Sequence, residues 1–590
     1  MRLGDPASTL KIFLLRIGAI VLFLKIIIDG KICIPARRFF ILFILYLSAI
    51  IITALYSGHP VTAFIGIYPF FSSSVLSIVC MVMFFVYACG LDKKDIRQLF
   101  SILLIASVIV SAYGILQYWG LDFLNWKGNF YPRIWSTLGN PNFLAAYLVI
   151  ILPLAVFRYL VKGKWYELAG ALLVAAALVL TSSRAGAVSA FAGVGLMAIL
   201  IKKDRVIKKR LFFIASVVLV AVIVFALSDI NRFKGIGRRY ASSFDLKEDN
   251  ISSRISQWNT GIKMFKEKPF LGWGLNGFYT HFRKYMRRDF LDFTSALSVP
   301  GYPHNYILKK LIEGGLLFTF IIIWWWVAVF YFIFKHRHKN DCLAGAVLGS
   351  LTALWIQNMF SFSIAATSLI MWVLIGFSVS VSDDKKEVVF SKFKYRYTFL
   401  ILAVPVIIFS FNRLYADHLF YKGNYKKAAA VAPEIFKYGM AYGKKLYVEE
   451  KYDKAEQVFL KQIEKTPFNA LPYNGLGSVY LKKEEYSSAV IQFREALERD
   501  PFLQDAHLKL AEVYRRLNEY DKAVEYYQSA LEIDPELINP AYNLGVIYFK
   551  QEKFKEAVRV WKMVLKNDPS HEKAVNGVEI AEKLIYIDKK

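Results

Sequence analysis

The chain has 590 residues, 56% hydrophobic and 16% aromatic, with a formal net charge of +28. Repeated apolar runs of about 18 residues or more exceed what a soluble core needs and read as membrane spans. The basic residues cluster between those runs, as in loops beside anionic lipid, so nucleic acid is not the expected partner.

In chain order, spans are predicted near 11–29, 38–56, 72–90, 99–119, 142–160, 165–182, 184–202, 211–228, 313–334, 342–359, 366–382 and 396–412, about 12 in all. Lys11, Arg16 and Lys25 interrupt the first run and no small-residue cleavage site follows, so no cleavable signal peptide is expected. Cys33, Cys80, Cys89 and Cys342 lie in or beside spans without zinc-like spacing, so neither disulfides nor a metal site is expected. Short Lys/Arg-rich connections at 31–38, 92–97, 162–164, 202–210, 335–339 and 385–396 are assigned to the cytoplasm. That assignment puts 57–71, 120–141, the junction at 182–184 and the long loop 229–303 on the outer face. The long loop has an excess of Lys/Arg and favours anions, but it is too long for the positive-inside rule to orient it.

A second domain is expected at 413–590, after a membrane domain at 1–412. Pro467, Pro501, Pro535 and Pro569 recur at intervals of 34, the period of the tetratricopeptide repeat. In phase with them run Tyr473, Leu476, Gly477, Ala489, Phe493 and Ala496, with equivalents in the next two repeats. Small residues let paired helices approach, and aromatics fill the gap to the next pair. About four repeats are predicted from 436 to 569, preceded by an irregular hairpin and closed by a helix at 571–586. The fold class is therefore all-α, a polytopic membrane bundle followed by an α-solenoid.

Candidate functional residues gather on the predicted outer face. Arg184, in Ser182-Ser183-Arg184-Ala185-Gly186 between two apolar runs, is either a snorkelling anchor or a guanidinium presented to a phosphate. Arg254 begins a stretch with Trp258, Ile262 and Phe265 at helical spacing, an amphipathic helix for the membrane surface. By charge alone Arg238, Arg239, Arg283 and Arg287 are equal candidates. His304 opens the helix that re-enters the membrane. Neighbouring cations would lower its pKa and keep it neutral, able to accept a proton. Asn305 reads as a substrate-orienting group or a helix cap. Around Gly139-Asn140-Pro141-Asn142, Asn142 reads as the N-cap of the fifth span. Gly272-Trp273-Gly274 reads as a turn. Asp289 and Asp292 lack a third ligand for a metal.

Taken together, Gly139-Asn140-Pro141-Asn142, Ser183-Arg184-Ala185-Gly186, Arg254 with Trp258, Gly272-Trp273-Gly274, His304-Asn305-Tyr306-Ile307-Leu308 and Glu313-Gly314-Gly315-Leu316 resemble the O-antigen ligase/polymerase superfamily over residues 40–382. The resemblance implies a class C type membrane glycosyltransferase that works without a bound metal or cofactor. Its donor would be an undecaprenyl-diphosphate-linked glycan on the outer side of the membrane. It further implies that Arg184 and Arg254 hold the diphosphate and that His304 activates the acceptor hydroxyl, with Asn305, Asn140 and Trp258 as positioning candidates. The acceptor is left open between a lipid, a glycan and a protein. The last span and the repeats depart from the simplest ligases of this superfamily, so a lipid A acceptor does not follow. Membrane lipids and a protein bound at the repeats are the expected partners, and the inner membrane the expected location, with site and repeats extracytoplasmic. A non-catalytic repeat scaffold is the rival reading. A transporter is disfavoured because the spans show no chain of carboxylates.

Overall fold

The computed structural model describes residues 6–35, 37–66, 73–122, 133–201, 205–227, 249–293, 300–336, 341–361, 364–382, 384–389 and 399–587. Arg238 and Arg239 lie outside the described residues. The described residues are helical apart from turns and two short strands. In order they form α1 (Pro6–Asp29), β1 (Lys31–Pro35), α2 (Arg37–Leu55), α3 (Pro60–Ile65), α4 (Val75–Cys89), α5 (Lys93–Tyr118), α6 (Pro141–Lys162), α7 (Trp165–Leu180), α8 (Arg184–Leu200) and α9 (Arg205–Leu227). Next come α10 (Asp249–Glu267), α11 (Gly277–Tyr285), α12 (Tyr306–Lys335), α13 (Asp341–Met359), α14 (Ala365–Ser380), β2 (Lys385–Val389) and α15 (Phe399–Tyr421). Two compact units result, one of Arg2–Phe278 with Gly301–Leu414, the other of Tyr279–Pro300 with Tyr415–Lys590.

In the first unit, four helices among the described residues are long and apolar enough to cross a membrane: α2, α5, α6 and α12. Shorter apolar helices accompany them, α4, α7, α8 and α14 among these. Helix α6 is the most enclosed, with leucine, isoleucine and alanine side chains buried all round it. In lipid the hydrophobic effect gives little net drive between helices, so close packing of small residues matters more. Gly193 of α8 and Gly349 of α13 show this directly. A Cβ on Gly193 would lie 2.5 Å from the Gly349 carbonyl oxygen, and one on Gly349 would lie 2.4 Å from that of Gly193. Where larger side chains meet, aromatic rings interlock: Phe43, Phe85, Trp325 and Trp372 from α2, α4, α12 and α14 have centroids 5.0–6.0 Å apart. Arg16, which interrupts the first apolar run, is buried, with its guanidinium 3.4 Å from Ser410 Oγ and stacked over Phe409. β1 and β2 pair antiparallel with Lys31 opposite Val389. Two connections assigned to the cytoplasm from charge thereby meet on one side of the helices.

The second unit opens with the end of α15 and an irregular hairpin through α16 (Tyr425–Val431). Four helix pairs follow: α17 (Phe436–Val448) with α18 (Tyr452–Lys465), α19 (Ala470–Lys482) with α20 (Tyr486–Arg499), α21 (Gln504–Arg516) with α22 (Tyr520–Ile533), and α23 (Ile538–Lys550) with α24 (Phe554–Asn567). Helix α25 (Glu572–Ile587) closes the array. The turns inside the pairs repeat with the sequence. Glu450, Glu484, Asn518 and Glu552 all have φ near +60°, and each following amide donates to a carbonyl five residues back. Glycine usually fills that left-handed position because it carries no Cβ. Here side chains occupy it in all four turns.

Residues 279–293 of the long loop pack within this unit. Phe282 and Phe290 are buried edge-to-face at 5.2 Å. Arg283 lies 3.5 Å from Asp500, the residue that ends α20, and Lys284 lies 3.7 Å from Glu498. Arg288 donates to the Glu532 carbonyl in the last turn of α22 at 2.6 Å. The loop's cations thus meet the negative ends of two repeat helices, where unpaired carbonyls and the helix dipole favour positive charge.

The Gly193–Gly349 crossing leaves no room for a side chain. Gly193→Leu is expected to destabilise the membrane unit by about 1–3 kcal/mol or more, seen as a lower thermal midpoint of the detergent-solubilised protein. Gly195→Leu, at a glycine with nothing within 4 Å of its added Cβ, should leave the midpoint nearly unchanged.

Candidate functional site

Two glycines in α12 shape the region around His304. Gly315 has φ +64° and ψ −161°, which breaks the helical ladder. The Ile312 and Glu313 carbonyls, left without their partners one turn on, accept from the Trp273 and Gly274 amides at 2.8 Å. The Leu316 amide in return donates to the Pro269 carbonyl at 2.8 Å. A Cβ on Gly315 would lie 2.2 Å from the Phe270 carbonyl, and one on Gly272 would lie 2.6 Å from the Glu313–Gly314 backbone. Gly272-Trp273-Gly274 and Glu313-Gly314-Gly315 are therefore two halves of one backbone joint, which satisfies groups that would otherwise be orphaned in an apolar setting.

The joint carries α10 against the first turns of α12, where Gly261 faces Leu308 and Ile312. Trp258 of α10 donates its indole N–H to the Pro303 carbonyl at 2.7 Å. The next residue, His304, has φ +50°, a conformation that side chains rarely adopt and that only surrounding structure maintains. Burial pushes the His304 imidazole down to about 4, and the Arg254 guanidinium acts in the same direction. Its ring is therefore neutral near pH 7. Asn305 caps α12 by accepting from the Leu308 amide at 2.9 Å.

Arg184 is the first residue of α8, beyond Ser182 at φ +51° and the capping hydroxyl of Ser183. One and a half turns on, the Ser189 hydroxyl lies 3.5 Å from Gln357 of α13. Arg133 ties this corner to the start of α6, donating to the Thr181 carbonyl at 2.8 Å and to the Asn142 side chain at 2.9 Å. The N-cap of α6 is Asn140, which accepts from the Asn142 amide, and Pro141 takes the first helical position. Asn142 is thus not the cap its position suggested. Its side chain holds Arg133 instead. The structure brings Arg254, Trp258, His304 and Asn305 together around one turn, while Arg184 and Asn140 belong to the α6–α8 corner. Asp289 lies 3.2 Å from Arg287 in an ion pair.

Sequence reasoning passed over a charged cluster next to His304. Lys310 Nζ lies 2.9 Å and Lys309 Nζ 3.6 Å from the Glu313 carboxylate, which also accepts from the Asn276 amide at 3.2 Å. Lys309 further donates to Ser73 at 2.9 Å and sits 4.2 Å over the Tyr302 ring. Both lysines line a cavity of about 90 Å³ together with Tyr46, Ser73, Asn305 and Trp372. Two lysines followed by a glutamate at i+3 and i+4 in an apolar helix was the available signal.

Replacing Trp258 with Phe keeps the ring and orphans the Pro303 carbonyl, a loss of about 1–3 kcal/mol if it stays buried. The expected outcome is faster amide hydrogen exchange confined to 301–308 with little change in thermal midpoint. Unchanged exchange there would show that Trp258 does not hold the His304 turn.

A family model described as O-Antigen ligase matches residues 169–323, and two tetratricopeptide-repeat models match 474–538 and 517–578. No curated protein matches. Similar solved structures include MamA, at 25% identity over 27% of this chain and 96% of that one, TM-score 0.25. Another is YrrB, described as a TPR protein with an unusual peptide-binding site, at 21% identity over 28% and 90%, TM-score 0.25. A third is pilF of Pseudomonas aeruginosa, at 14% identity over 30% and 85%, TM-score 0.27. The O-antigen ligase match contains Arg184, Arg254 and His304, and the apolar helices around it make a multi-pass membrane protein. The chain therefore carries a segment, 169–323, that matches the O-antigen ligase family model, followed by tetratricopeptide repeats.

Proposed function

We propose that this protein transfers a glycan from a polyprenyl-diphosphate carrier to an acceptor hydroxyl at the outer face of the inner membrane. The observation that carries the reading is His304, held in a strained turn next to the Trp258–Pro303 hydrogen bond, with Arg254 near enough to lower its pKa. A neutral imidazole can take the hydroxyl proton as the oxygen attacks the anomeric carbon. The carrier diphosphate leaves as the bond to it breaks, and direct displacement inverts that carbon. Arg184 and Arg254 stabilise the charge that builds on the leaving group. An imidazole titrating near 4 is a weak base at neutral pH, but an anionic diphosphate beside it favours the protonated ring and raises its pKa. Substrate binding would thus make the base stronger where it is needed.

The test is transfer by the purified full chain from a carrier-linked glycan, followed by mass spectrometry of product and released carrier. His304→Ala should abolish transfer in a folded protein. Arg184→Ala and Arg254→Ala should each lower it roughly a hundredfold, about 3 kcal/mol, and Lys at either place should not restore it fully. Near-normal transfer by His304→Ala would sink the mechanism. The pH profile separates the free from the loaded site: kcat/KM should fall only as pH drops toward 4, whereas kcat should fall at a higher pH. Identical acid limbs would contradict the substrate-raised pKa.

The same reading places the repeats in the compartment of the long loop. Supporting it, the contacts of Arg283, Lys284 and Arg288 with the repeats could not form across a bilayer. The competing arrangement leaves 396–412 along the inner surface with the repeats in the cytoplasm. Lys573→Cys, on exposed α25 in a background lacking Cys33, Cys80, Cys89 and Cys342, should react with a membrane-impermeant thiol reagent on intact spheroplasts. Labelling only after permeabilisation would refute the outward placement.

A further inference from the structure

We propose that the cavity beside His304 is a phosphoryl-binding subsite formed by Lys309 and Lys310, a refinement that rests on the transfer reading above. Among the described residues, two ammonium groups there face one carboxylate, Glu313. That carboxylate is already shared, since it also accepts the Asn276 amide. The closer ion pair belongs to Lys310, at 2.9 Å. Lys309 is 9% exposed and stands 3.6 Å from the carboxylate, its shorter contact being a neutral hydroxyl, Ser73. An enclosed surplus of one positive charge is costly to maintain unless an anion completes it.

The surroundings fit an oxyanion. Both amines line the cavity, and Asn305, Tyr302, Ser73 and Ser361 add neutral hydrogen-bonding groups around them. Its aromatic floor, Tyr46, Trp326 and Trp372, supplies no competing anion. The cavity, about 90 Å³, has room for a compact oxyanion. Asn305 and Pro303 are lining residues too, so the subsite borders His304 on the chain itself. A phosphoryl group of the carrier diphosphate is the occupant this charge and position select. Anionic phospholipid headgroups share its chemistry and are the competing source.

The test uses the full chain in nanodiscs of zwitterionic phosphatidylcholine, titrated with inorganic pyrophosphate by calorimetry and by the fluorescence of the cavity tryptophans. The unaltered protein should bind saturably. Lys309→Gln or Lys310→Gln should weaken binding roughly tenfold or more, as expected for a lost charged hydrogen bond. Lys309→Arg should stay within a few-fold. Should Lys309→Gln fail to fold, Lys310→Gln decides alone, because it leaves Lys309 and Glu313 as a balanced pair. Equal affinity in the unaltered and Gln proteins would overturn the subsite. Competition by phosphatidylglycerol added to the nanodiscs would overturn the carrier assignment in favour of a headgroup. Pyrophosphate binding that depends on the lysines in a protein without transfer activity would leave the subsite standing and remove the transfer reading. Transfer that depends on His304 but not on either lysine would do the reverse.

Discussion

The backbone exchange at Gly315 sets the geometry of everything around His304. A helix entering lipid must satisfy its own carbonyls, and α12 gives up part of that pairing at its second turn. The turn at 269–274 supplies the missing donors and receives one in return. A polar loop is thereby fastened to a hydrophobic helix by main-chain groups, which tolerate little displacement. Trp258 and Arg254 ride on the helix that leads into this turn, so their approach to His304 is inherited from the joint. The positive φ of His304 is sustained in the same way, between the capped start of α12 and the Trp258 indole on its preceding carbonyl.

Charge is distributed to match. The long loop's basic residues divide between two destinations. Arg254 lies near enough to His304 to lower its pKa, while Arg283, Lys284 and Arg288 spend their charge on the carboxylates and helix ends of the repeat array. The Arg283–Asp500 contact is nearly enclosed, with side chains 13% and 9% exposed, so solvent screens it far less than a surface pair. Removing one partner would strand the other in a poorly solvated place. The repeats therefore hold a segment of the loop in which Arg254 also lies.

Much of this was legible in the sequence, for identifiable reasons. The 34-residue proline ruler marked the repeats because each helix pair meets the next with the same small and aromatic residues. Arg254, Trp258, His304 and Asn305 were legible as a group through the motif order. Their separate jobs were not, since an asparagine at a helix start serves equally as a cap or a ligand, and the bond from the Leu308 amide is visible only in the fold. Gly272-Trp273-Gly274 was readable as a turn but its place in the joint was not, because its partner is backbone, which has no residue signature. Lys309 and Lys310 drew no reading from the sequence, because charge next to an apolar run does not reveal burial; only the fold puts them with Glu313 around a cavity. The twelve expected spans rest on hydropathy, and the lengths of the described helices support a multi-pass bundle without fixing that count.

The β1–β2 pairing has a consequence for biogenesis. Lys31 and Val389 are joined by ladder hydrogen bonds although more than half the chain separates them. Contacts of such sequence separation are slow to form, because the intervening chain must first be ordered. During synthesis β1 has no partner until β2 has been made, after the helices between them. The earliest membrane helices must therefore wait, with an open strand edge at their end, until the membrane unit is nearly complete. The pairing then acts as a closing clasp, and an edge left open by interrupted synthesis is a ready template for a wrong partner.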